Sequence, residues 1–211
     1  MKIIYISNSI IPSRSANSVH VMKMCQSFAS LGHEVILLAP DFCDEYEKNI
    51  INDFNFYNVE ETFKLVKLKV PKIKGRTLLY TLRVFLFLIK NKSHLIYGRF
   101  ILGCYLATLI RKKTIFESHS SIYKDNSLSQ NIFNKLIRSK FLIKLVVISQ
   151  KLKDVYLERD IARDKIFVAH DGADEVKDLE QKISLKEYGK LNIGYIGHLY
   201  KGKGMEVIEK I

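Results

Sequence analysis

Short runs rich in β-branched residues alternate along this chain with stretches of helical periodicity, and that alternation admits few folds. The runs are Lys2 to Ser7, Glu34 to Ala39, Phe63 to Val70, Leu95 to Gly98, Thr114 to Glu117, Leu145 to Ser149 and Ile166 to His170. Strands separated by helices cannot pair as tight hairpins, so they line up in parallel and take helices on both faces. The expectation is an α/β protein built on a Rossmann-like, doubly wound parallel sheet. Its first helix is expected to start near Asn17 or Ser18, to carry Val21, Met24, Cys25, Phe28 and Leu31 at helical spacing, and to stop at Gly32. A chain of 211 residues, 47% hydrophobic, can bury one good core but is short for two complete α/β domains. We therefore expect one domain over residues 1–175. A polar linker with little periodicity should follow over 176–190, and residues 191–211 should open a second domain with the strand Leu191 to Ile196.

Several classes are excluded. Cys25, Cys43 and Cys104 are few, odd in number and unclustered, which fits a reducing cytoplasm better than a disulfide framework or zinc site. The segment Met1 to Ile6 lacks the parts of a signal peptide and reads as a buried first strand. The longest apolar run, Leu78 to Ile89, contains Arg83 and falls well short of the ~20 residues a membrane span needs. The formal net charge of +12 favours anionic partners such as phosphates, nucleic acid or acidic lipid, and it is concentrated. Thr62 to Lys113 holds thirteen basic residues and no acid, and Asn126 to Lys153 is also free of acids. Nucleic-acid binding would rest on charge alone, without an aromatic platform or recognition helix, and is not expected. Arg76 to Lys92 reads as a helix of broad apolar surface with basic edges, suited to a core position, to a membrane interface, or to both.

Three constellations could carry chemistry. The loop Ser7 to Asn17 leaves the first strand at the carboxyl edge of the sheet, where open α/β sheets bind ligands. It has no glycine, which counts against a dinucleotide fingerprint, but Arg14, Ser15 and Asn17 could still meet an anion or a hydroxyl. Glu117 and His119 end a strand at the same edge, and a neutral imidazole there could accept a hydrogen bond from a sugar hydroxyl; Arg99 ends the preceding strand in the equivalent place. Gly197 to Gly204, with His198, Lys201 and Lys203, would open a helix and receive a diphosphate, although its spacing is not that of a Walker motif.

In order, these pieces resemble glycosyltransferase family 4, whose members have the two-domain GT-B fold. The resemblance is carried by Asn17 to Lys23 with Leu31-Gly32-His33-Glu34-Val35, by Leu145 to Gln150, by Ile166 to Asp174, and by Gly194 to Gly197 with Lys203-Gly204. It implies an acceptor-binding N-terminal domain, here with Arg14, Ser15, Asn17, Arg99 and Glu117 on the acceptor side. His119 matches the histidine that contacts the donor sugar, while Gly197, His198 and Lys203 match the donor-phosphate site. The implied reaction is retaining transfer of a hexose-type sugar from a nucleotide diphosphate sugar, with no metal or other cofactor. His198 stands where the family usually has arginine, and Asp171 where it usually has asparagine. The expected partners are a nucleotide sugar, a glycan or lipid-linked acceptor of polysaccharide or glycolipid synthesis, and an anionic membrane surface, which would place the protein at the inner face of the membrane. Because the chain ends at Ile211, one strand into the donor domain, the 211 residues alone are expected to transfer little sugar. The alternative is an inactive homologue that binds a glycan or anion, or partners a separate donor-domain chain.

Overall fold

The computed structural model describes residues 1–42, 47, 49–71, 73–124 and 126–175, together with residues 189 and 207. The expected linker (176–190) and the opening of the second domain (191–211) lie almost wholly outside them. The chain divides into two compact units, Met1–Asp171 and Gly172–Ile211, and the first contains every element discussed below.

Seven strands form one parallel sheet in the order β3-β2-β1-β4-β5-β6-β7. They are β1 (Lys2–Ile6), β2 (Glu34–Pro40), β3 (Lys64–Leu68), β4 (Leu95–Gly98), β5 (Thr114–Ser118), β6 (Leu142–Val147) and β7 (Ile166–Val168). Among the described residues the helices between them are α1 (Ala16–Ser30), the short α2 (Asp53–Phe56), α3 (Arg76–Lys90), α4 (Ile101–Leu109), α5 (Ser127–Arg138) and α6 (Gln150–Leu157). All seven strands expected between Lys2 and His170 are present, the expected strand Leu191 to Ile196 lies outside the described residues, and the fold is the doubly wound α/β sheet the alternation implied. Strand order reverses between β1 and β4, which makes their carboxyl ends the topological switch point where such sheets hold ligands.

β1 is central, and Ile3 to Ile6 are all buried because both of its faces are covered. Ile3 and Tyr5 pack in one layer with Val21, Met22 and Cys25 of α1. Ile4 and Ile6 pack in the other with Tyr80, Val84 and Leu88 of α3 and Ala107 of α4. A third cluster joins Phe116, Phe133, Leu145 and Tyr156 beneath α5 and α6. Cys25 and Cys104 are buried free thiols.

Boundaries shift by up to three residues in several elements, and those at α1, β6 and α6 have a visible cause. α1 begins at Ala16, not at Asn17 or Ser18, because the Ser15 hydroxyl accepts from the Ser18 amide at 3.2 Å and so takes the cap. β6 begins three residues early, at Leu142, since Lys144 sits within the ladder and sends its ammonium out to the Asp164 carbonyl. Ser149 has left that strand to cap α6, accepting from the Leu152 amide at 3.2 Å.

Gly98 is fixed by proximity. A Cβ there would stand 2.5 Å from the Ile6 carbonyl oxygen, which is rigid backbone at the switch point. Gly98→Ala is therefore expected to destabilise the fold by about 2 kcal/mol, the typical cost of overpacking. Urea unfolding measures it, and an unchanged midpoint would mean that β1 and β4 separate more easily than this packing implies.

Candidate functional site

Four segments converge at the carboxyl edge: the loop after β1, the first turns of α1, the end of β5, and the chain just beyond β7. Their centre is Glu117, whose side chain is 3% exposed and is met by His119, His20 and Tyr5. His119 Nε2 contacts Glu117 Oε1 in a short hydrogen bond. His20 Nε2, one turn into α1, stands 2.6 Å from the same oxygen but off the line a hydrogen bond needs, so that contact is an ion pair or polar approach and not a formed bond. Tyr5 donates to Glu117 Oε2 at 3.3 Å. The imidazoles meet edge to face with centroids 4.6 Å apart, and His20 Nδ1 reaches to within 3.5 Å of Asp171 Oδ1.

Burial alone would push the Glu117 pKa up, but the contacts with His119 and His20 prevail and hold the carboxyl well below the usual carboxylate range. Glu117 is thus a buried anion whose charge is met by two imidazoles. The effect spreads to its neighbours: burial first, and then the Glu117 charge, raise the phenols of Tyr5 and Tyr97 and the thiol of Cys25.

His119, Glu117 and Arg99 come together at this edge. The Arg99 amide donates to the Ile6 carbonyl at 3.1 Å, and its guanidinium opposes the rise of the Tyr5 and Tyr97 pKa values. Arg99 Nη1 and Asn17 Oδ1 are buried with no hydrogen-bond partner among the described residues. Both therefore have capacity left for a ligand.

Arg14 and Ser15 are otherwise engaged. The Arg14 side chain, largely exposed, pairs through Nε with the buried carboxylate of Glu47 at 2.6 Å. Ser15 caps α1, and the serine-rich loop satisfies itself: Ser13 and Ser18 hydroxyls lie 3.0 Å apart, Ser18 donates to the Ser13 carbonyl at 2.7 Å, and the Tyr57 hydroxyl braces the Ser13 backbone. Gly197, His198 and Lys203 lie outside the described residues.

Sequence reasoning passed over His20. Its only signal is a histidine in the first turns of the helix that follows β1, at the edge to which His119 had already been assigned. A cleft of ≈180 Å³ also went unread; it is lined by Asn8, Ile10, Pro40, Phe42, Arg76, Thr77 and Tyr80, beside the ends of β1 and β2. The Arg76 guanidinium lies over the Phe42 ring there, 5.0 Å from its centroid.

His20, His119 and Asp171 each offer a ligand atom within 4.8 Å of one another, a spacing that could gather around a metal ion. Each Nε2 faces Glu117, which leaves the Nδ1 lone pairs as the ligand atoms an ion would take, with a carboxylate behind to orient the rings.

The profile of Glycosyltransferase Family 4 matches residues 18–177. Among solved structures the chain is similar to Anabaena HepE in complex with UDP-glucose, with a TM-score of 0.58 and 13% identity over 82% of this chain and 44% of that one. It is similar to UDP-GlcNAc 2-epimerase from Methanocaldococcus jannaschii, with a TM-score of 0.56 and 13% identity over 80% and 45% of the two chains. It is also similar to the apo form of the lipopolysaccharide outer core galactosyltransferase WaaB, with a TM-score of 0.53 and 13% identity over 82% and 46%. The shared feature at this identity is the fold, and the chain spans less than half the length of each. No curated protein sequence matches it.

Proposed function

The chain belongs to glycosyltransferase family 4, and from that premise we propose that it supplies the acceptor-side lobe of a retaining transferase using a nucleotide diphosphate sugar. The sugar moved is of hexose type, and it passes to a glycan or a lipid-linked acceptor. The observation that carries this reading is the His119–Glu117 pair at the switch point. A carboxylate can only accept, so the Nε2 that faces it carries the proton. In the neutral ring Nδ1 is then an acceptor, fixed in direction, and suited to a sugar hydroxyl. A buried Glu117 cannot itself reach an acceptor, so its role is to position His119 and His20.

Transfer from a diphosphate donor needs positive charge where the leaving group gathers negative charge. Lys203 and His198 are proposed for that task on the family's pattern. HepE bound to UDP-glucose supports a nucleotide sugar as the donor class, and the WaaB likeness supports a glycan acceptor. The fold also occurs in UDP-GlcNAc 2-epimerases, but the family match over residues 18–177 favours transfer.

The test is incubation of the purified protein with labelled nucleotide sugars and lipid extract or oligosaccharide acceptors. With a donor-domain chain supplied, label should enter an acceptor with the donor's anomeric configuration kept, and without one little label should enter. Epimerisation of UDP-GlcNAc without transfer, or no turnover even with a donor-domain chain supplied, would overturn the reading. EDTA is expected to leave the rate within about twofold, because no metal takes part; loss of activity restored by zinc or manganese would assign His20, His119 and Asp171 to an ion instead.

A further inference from the structure

α3 carries two apolar faces and has a core for only one. Tyr80, Thr81, Val84 and Leu88 are buried against the sheet. On the opposite side Leu78 is 71% exposed, Leu82 52%, Leu86 47% and Ile89 58%. At 3.6 residues per turn these four fall within an arc of about 80°. Single exposed leucines are ordinary, but four on one arc make a contiguous patch that water solvates poorly. Arg76, Arg83 and Lys90 follow at intervals of seven residues, which places them in one row along the edge of that patch, within about 40° of one another. Beyond the C-terminal end of α3, Lys92 joins Lys2, Ser93, His94 and Lys112 in lining an open cavity of ≈420 Å³. No helix among the described residues is long and apolar enough to cross a membrane.

We propose that this outer flank of α3 seats the protein on an anionic lipid surface, the helix lying along the boundary between headgroups and acyl chains. The leucine arc enters the acyl region while the basic row meets headgroup phosphates, so apolar burial and Coulomb attraction act together. A second copy of this chain fits the face poorly, because pairing would bring two basic rows together on a protein of net charge +12. The orientation gives the transferase reading a physical route to its acceptor. The first turn of α3 supplies Arg76 and Thr77 to the cleft at the carboxyl edge, so a lipid-linked group would meet that cleft from the same surface. The inference rests on the proposed function for that purpose only.

The experiment is co-sedimentation with vesicles of phosphatidylcholine alone or mixed 7:3 with phosphatidylglycerol, with no nucleotide sugar present. Binding to the mixed vesicles should be at least about tenfold stronger than to the neutral ones. It should fall about fivefold with Arg83→Glu and at least about tenfold with Leu82→Glu/Leu86→Glu. Both sites are solvent-facing, so melting curves should be unchanged, and Leu78→Glu serves as a second apolar variant. Equal binding by wild type and these variants, no vesicle binding, or self-association on light scattering that the glutamates abolish would each overturn the proposal. The sugar-transfer assay with a water-soluble acceptor does not depend on this outcome, so failure of either reading is seen separately.

Discussion

Glu117→Gln is expected to lower the unfolding free energy at neutral pH by about 3 kcal/mol, the usual scale for removing one partner from a buried ionic contact. For a domain of this size that is a fall in Tm of roughly 6–12 °C. The glutamine fills the same volume, so the loss reports charge and hydrogen bonding and not a cavity. His119 Nε2, His20 Nε2 and the Tyr5 hydroxyl all face this one carboxylate, and an amide offers a single acceptor oxygen where the carboxylate offers two. The pH dependence has a definite sign. The folded pKa of Glu117 is depressed by His119 and His20 despite burial. Its contribution is therefore complete above the ordinary carboxylate pKa of about 4 and is lost as the pH falls below it. The gap between wild type and Glu117→Gln should narrow below about pH 4, and urea melts across the acid range measure it. A gap that stays constant or widens there would show that the carboxylate is not the stabilised species.

The sheet was legible because β-branched runs and helical periods are local signals, and a strand end locates its own sheet edge. His119 could be placed at the carboxyl edge for that reason. His20 could not, since its tie to Glu117 joins residues 97 apart in sequence through two elements that say nothing of each other until they pack. The same holds for Arg14, which reads as a free cation in its loop but ends on the buried carboxylate of Glu47. Ser15 illustrates a nearer miss: Ser15, Asn17 and Ser18 are all competent caps, and only the backbone angles decide which hydroxyl meets which amide. Lys144 concealed the start of β6 because a charge in a buried run reads as an end, whereas the long side chain leaves the sheet before its ammonium is reached. The apolar breadth of α3 was visible from its period, but which leucines lacked a partner depended on where the sheet lay.

His119→Ala should reduce sugar transfer about 100- to 1000-fold, the range seen when a pre-aligned polar group is removed from a reacting centre. The fold should survive, because His119 lies at the rim and its removal leaves Glu117 with His20 and Tyr5. If Nδ1 meets the sugar only as the transition state forms, kcat falls and KM changes little; a rise in KM alone would make it a simple binding contact. Positioning by Glu117 adds a coupling that a merely structural carboxylate would not. In the Glu117→Gln background the imidazole is no longer held by an anion, so removing His119 should cost several-fold less than it does in wild type. Equal, multiplicative losses in this double-mutant cycle, measured on the transfer rate of folded variants, would mean that the buried carboxylate supports the fold alone. Coupling confined to the His20→Ala arm would instead move the sugar-facing role from β5 to α1.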